Sequence, residues 1–154
     1  MQSNSQIATN TFLIPDIIKD KINIIIAFEL EETEVILFNL ALLAIANEMR
    51  KDNLCIEQLT NLNIIFSKNG SFEIVQESDS VFGMHFSFAV YAMETLRKTN
   101  NDYFMLVTFI EELTHHYWRI EDEISVKYKV VDIAHSVEPK ITLDMLRGWG
   151  INGI

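Results

Sequence analysis

The chain has 154 residues, 49% of them hydrophobic and 22% charged, with a formal net charge of −10. That length suits one globular domain over residues 1–154 with a real core, and the composition excludes a wholly disordered chain. The acidic balance argues against direct nucleic-acid binding, because a phosphate-tracking surface needs clustered Lys and Arg.

Cys55 is alone, so no intramolecular disulfide forms, and with no flanking bases it is expected to be a small buried apolar residue. The start, Met1-Gln-Ser-Asn-Ser-Gln-Ile-Ala-Thr-Asn, lacks a basic stretch followed by an apolar run. This speaks against a signal peptide and for a cytoplasmic location. The uncharged windows at 35–47 and 81–93 are too short to span a bilayer, so no membrane association is expected.

Residues 1–14 read as a flexible lead-in. Pro15-Asp16 can start a helix, and Ile17, Ile18, Ile22, Ile25 and Ile26 follow near helical spacing. A strand over 22–28 competes, since isoleucine favours strands. Glu29, Glu31, Glu32 and Glu34 then give the acidic first turn of a helix from 31 to 51. Its apolar face is Val35, Leu37, Phe38, Leu42, Ile45 and Met49.

Asn63-Ile-Ile-Phe and Phe72-Glu-Ile-Val flank Asn69-Gly70, which predicts a β-hairpin over 63–75, from Asn63 to Val75. Ser80 caps a third helix over 81–98 that is apolar nearly all round, with His85 on its buried side. Asp102 caps a fourth helix that runs from 103 to about 135 with no Pro or Gly. Its core stripe is Leu106, Ile110, Leu113, Tyr117, Ile120, Ile124, Tyr128 and Val131. Thr142 caps a short helix over 143–147, and residues 148–154 close the chain as a loose tail that Trp149 tacks down. The predicted fold class is therefore α+β and predominantly α-helical. About four helices and a short C-terminal one surround a single hairpin.

The densest chemistry lies between Phe109 and Glu123, where five acids, His115, His116, Arg119 and Trp118 share one segment. At 100° per residue Glu112, His116 and Glu123 fall on the flank of the core stripe. Glu111, His115 and Asp122 fall on the more exposed side. Residues at i and i+4 are neighbours on a helix, so each Glu–His pair can share one ion, with His85 or Glu94 as further donors. Imidazole with carboxylate suits zinc, iron or manganese, and the candidate metal ligands are Glu111, His115, His116 and Glu123. The plain alternative is a pair of solvated helix faces holding intrahelical Glu–His pairs, which need no function.

Glu111-Glu112-Leu113-Thr114-His115 resembles the His-Glu-x-x-His helix of zincin metallopeptidases, with Glu111 in place of the first histidine. The resemblance covers the fourth helix and the hairpin before it. It implies Glu112 as the general base, His115 as a ligand, and Glu121, Asp122 or Glu123 as a third ligand of the gluzincin kind. A reduced or inactive zincin-like hydrolase would carry such a substitution. Glu112 and His115 also match the Glu-x-x-His of di-iron helical bundles, but that family needs a second copy and the chain has none.

The rival expectation is a non-enzymatic interaction module. It presents an acidic surface to a basic or nucleic-acid-handling protein partner, with Trp118 and Trp149 as anchors. The sequence names neither that partner nor the oligomeric state. Nothing marks an activated Ser or Cys nucleophile, and no Gly-rich phosphate loop is present.

Overall fold

The computed structural model describes residues 12–74, 83 and 85–150. Its first regular elements form where the helical reading gives way to the strand reading. A turn over 16–18 and a 3-10 turn at Lys19–Lys21 lead into strand β1, Ile22–Ile26. Stiff β-branched side chains decide it, since they fit a pleated surface better than a helix. Along β1 residues alternate between half-buried and exposed.

The chain then crosses through α1, Glu32–Lys51, to β2, Leu62–Ser67. Both ends of α1 are chemically specified. Glu31 and Glu34 form a reciprocal capping box in which the Glu34 carboxylate accepts from the Glu31 N–H at 2.8 Å. Asn53, in the left-handed region at φ 50°, ends the helix. Val35, Leu37, Phe38, Leu42, Ile45 and Met49 are all buried, as the predicted face requires.

The third strand, β3, is Phe88–Ala92, and the sheet order is β1-β2-β3 with both pairings parallel. This corrects the hairpin. Asn63 to Phe66 do lie in a strand, but residues 72–74 lie in none, and Val75 falls outside the described residues. The physical reason is at the turn. Gly70 has φ 83°, but Asn69 does not join it at positive φ, so the primed turn of a tight hairpin is not made. The Gly70 N–H instead donates to Ser67 Oγ at 2.7 Å. Flanked on both sides, β2 is buried almost throughout, the mark of a central strand covered on both faces.

The helix expected over 81–98 is corrected too. Residues 81, 82 and 84 lie outside the described residues. Phe88–Ala92 pairs as β3, and Met93–Lys98 alone is helical, as α2. His85 is exposed rather than buried, and so is Cys55.

The long fourth helix is two helices. Asn101, not Asp102, caps α3, Asp102–Trp118, by accepting from the Phe104 N–H at 3.1 Å. Arg119 then takes the left-handed conformation at φ 53°, ψ 40° and ends α3. Asp122 caps α4, Glu123–Ala134, by accepting from the Ser125 N–H at 2.6 Å. The break resets the helical phase. Leu106, Ile110, Leu113 and Tyr117 are buried as expected, but Ile124 and Tyr128 are exposed, and Val126, Val130 and Ile133 face the core instead. Thr142 caps α5, Leu143–Gly148, through the Met145 N–H.

The resulting fold is α+β and mostly helical. The core lies between the sheet face of Ile24, Ile64 and Ala89, and of Ile26, Phe66 and Tyr91, and the helices above it. Phe38 meets Phe66 and Phe109 edge-on at 4.9 and 5.3 Å, and the Tyr91 hydroxyl donates to the Phe109 carbonyl at 2.8 Å. Such edge-to-face pairs add about 0.5–1.5 kcal/mol each beyond area burial. They fix α3, and with it the Glu-Glu-x-x-His segment, against the sheet. No helix among the described residues is long and apolar enough to cross a membrane.

Candidate metal centre

Glu111 and His115 stand one turn apart on α3, so both look out from one face. The left-handed turn at Arg119 swings the chain back over that face. Two consequences follow. The Ile120 carbonyl comes within 2.5 Å of His115 Nδ1 and accepts its N–H. Glu123, the first residue of α4, is brought in from the other side.

With Nδ1–H committed to Ile120, the neutral ring presents Nε2 as its acceptor. Nε2 lies 4.0 Å from Glu111 Oε1 and 3.7 Å from Glu123 Oε1. One ligand atom from each residue falls within 4.8 Å of the other two. A tetrahedral zinc with bonds of about 2.05 Å holds its donors about 3.3 Å apart. The two histidine–carboxylate distances exceed that by well under an ångström, within reach of a small rotamer change. A backbone carbonyl that fixes the tautomer and aim of a histidine is a common support behind metal-binding imidazoles.

A cation is already nearby. Lys127 of α4 forms an ion pair with Glu111 Oε1, and both side chains are largely buried. Beside them Glu112 is half-buried. Its carboxyl is pushed up, first by burial and then by the Glu111 charge. Burial, followed by the Glu112 and Glu111 charges, also drives the Tyr91 phenol well above its usual range. The Tyr117 hydroxyl is the one buried side-chain polar atom among the described residues with no hydrogen-bond partner.

The structure thus gathers Glu111, His115 and Glu123 and leaves His116 elsewhere. The His116 Nε2–H donates to the Thr60 carbonyl at 3.1 Å, beside the Thr60 hydroxyl at 3.2 Å. Burial holds that imidazole below its usual range. It lines a separate 220 Å³ pocket with Cys55, Trp118 and Arg119. His85 lines a 550 Å³ cleft with Asp20, Lys21 and Asn63 at the start of the strands. Neither His85 nor Glu94 joins the cluster. Asp122 is spent on capping, and Glu121 is exposed. Both candidate aromatic anchors have internal partners: Trp118 Nε1 donates to Asp52 at 2.8 Å, and Trp149 packs on Phe104 at 5.6 Å.

Sequence reasoning paired Glu123 with Glu112 and His116, because it carried one helical phase through residue 119. It also gave Lys127 no part in the site and could not see the Ile120 carbonyl. One usable signal was present: Asp122 three residues before Ser125, followed by Glu123, is the pattern of a new helix start. Comparison with protein-family models, curated proteins and solved structures finds no match to this chain.

Proposed function

We propose that the chain binds one divalent metal ion, zinc or iron, at the bend between α3 and α4, with Glu111, His115 and Glu123 as ligands. The observation that carries this reading is the His115 imidazole, fixed through Nδ1 and aimed through Nε2 at two carboxylates. One nitrogen and two oxygen donors suit a borderline ion, and three protein ligands leave a fourth position open, as in hydrolytic rather than structural zinc sites. An ion so held would supply a bound water acidified to a pKa of about 7.

The zincin resemblance supports the same set. Its two ligand positions on the helix are Glu111 and His115, and Glu123 comes from the element that follows. Glu112, half-buried with its carboxyl raised by burial, holds the general-base position of that resemblance. A reduced zincin-like hydrolase is therefore the enzymatic form of the proposal. The same site without turnover would pin the α3–α4 bend.

The test is elemental analysis of protein purified without a histidine tag. About one zinc or iron per chain is expected. His115→Ala should lose it and His116→Ala should keep it. Metal-free protein whose melting temperature ignores added zinc overturns the reading. The exposed run of Glu121, Asp122 and Glu123 favours the rival, an acidic docking surface for a basic protein. Under that reading Glu121→Lys abolishes a salt-sensitive complex and leaves metal content unchanged.

A further inference from the structure

Helix α1 buries one apolar face, yet its outward side carries apolar residues among its polar ones. Ile36 and Leu43 are 52% and 44% exposed, and Leu40 lies half-buried between them. Beside them runs the lead-in, held by the Leu13 N–H donating to Asn39 Oδ1 at 2.9 Å, with the Leu13 side chain 74% exposed. Between lead-in and helix lies a groove of about 630 Å³ whose walls are mostly apolar. Single exposed apolar residues are ordinary, but a contiguous stripe along a helix marks a contact surface.

The ends of the stripe say what fits it. Glu32 opens α1 and Arg50 stands near its end, and among the described residues neither takes part in an ion pair. They are eighteen positions apart, five full turns at 100° per residue, so they lie on one line about 27 Å apart. Leu43 and Ile36 lie within about 20° and 40° of that line, and Leu40 lies about 80° to the same side of it. The face therefore reads acid, apolar, base. A two-fold axis across the helix exchanges its ends, setting Glu32 of one copy against Arg50 of the other. Leu40 of each copy then meets Leu43 of its mate. A self-complementary patch of this kind is what an isologous dimer requires.

We propose that the outward face of α1 docks antiparallel on the same face of a second copy of this chain, giving a two-fold dimer. One helix face with the adjoining lead-in lies at the small end of stable interfaces, so association is expected in the micromolar range.

The experiment is sedimentation velocity on the full chain with EDTA present, from low micromolar to near-millimolar concentration. EDTA separates the outcome from the metal site, because the dimer does not depend on that reading. The wild type is expected to show a monomer–dimer equilibrium. Leu43→Glu, at an exposed position and so compatible with folding, should raise the dissociation constant at least about tenfold, and Ile36→Glu should act alike. Glu32→Arg and Arg50→Glu should each weaken the dimer, and the two together should restore it. A monomer at every concentration overturns the proposal and leaves the groove to residues 1–11 or to another protein. So does a dimer indifferent to both glutamate variants, or a charge swap without recovery.

Discussion

Lys127→Met separates a metal site from a simple ion-pair cluster, because Lys127 occupies the charge balance that an ion would take over. The ammonium pairs with Glu111, and the two side chains are only 11% and 14% exposed. Breaking a buried pair from one side costs about 3–5 kcal/mol. Glu111 keeps some contact with solvent, so the lower end, about 3 kcal/mol, applies to the metal-free variant. At about 2–4 °C per kcal/mol for a chain of this size, its melting temperature should fall about 6–12 °C. An ion that binds only the folded state returns RT ln(1 + [L]/Kd), about 2.7 kcal/mol at a hundredfold excess over Kd, or roughly 5–11 °C. In the wild type zinc must first displace or share the ammonium, so its increment is smaller. The assay is thermal unfolding of both proteins in EDTA and then at matched free zinc. A larger zinc increment in Lys127→Met, lost again in Glu111→Gln/Lys127→Met, is the expected result. Equal increments refute the competition with Lys127, and no increment in either protein refutes the site.

Other consequences follow from the same charges. Arg97 Nε and Nη2 donate to the two Glu34 oxygens at 2.5 and 2.8 Å, and Glu34 is 3% exposed. Arg97→Leu should therefore cost about 3–5 kcal/mol in urea unfolding, and adding Glu34→Gln should recover part of it. His116 has a folded pKa below its ordinary 6.5. Its neutral form favours folding, so stability holds above about pH 6.5, falls as pH drops through the folded value, and loses that slope in His116→Gln. Glu112 runs the other way. Its folded pKa is raised above 4.5, so its contribution is full below that and is lost as pH rises through the folded value. Glu112→Gln should melt higher than wild type at pH 7, with the difference vanishing near pH 4; a lower melting point at pH 7 would contradict the burial argument.

The helical elements were legible wherever local chemistry and burial agree. The acidic start and six-residue core face of α1, the Thr142 cap of α5 and the α3 stripe through Tyr117 need no distant partner to be read. What was not legible depends on distant partners. The run Phe88–Ala92 is as apolar as a buried helix, and only pairing with β2 makes it a strand. Ile22–Ile26 was ambiguous for the same reason, and β2 resolves it. The turn at Arg119 is harder still, because no Gly, Asn or Pro marks it and a non-glycine residue pays for the left-handed conformation. The pairing of Glu123 with Glu112 and His116 by helical phase depended on that unread turn. Three of the four candidate ligands named from sequence come together, but the reason they meet was not legible.

The distribution of charge explains why an ion would bind at this bend and not at another acidic spot. In a chain of net charge −10 the bases are scarce, and several of them stand at junctions between elements. Arg97 ties α2 to Glu34 at the start of α1. Lys129 ties α4 to Glu48 and Asp52 at the end of α1, where Lys51 adds a second base. Those bonds to Lys129 are the largest influence on the Asp52 carboxyl and hold it below its ordinary range. At the α3–α4 bend, by contrast, Lys127 is the one Lys or Arg among the described residues that pairs with these acids, and it pairs with Glu111; the Glu112 carboxyl is raised first by burial and then by the Glu111 charge. The surplus negative charge sits around a histidine whose aim is already fixed. A bend built of three carboxylates, one ammonium and an anchored imidazole is short of positive charge, and the divalent ion proposed above would supply it.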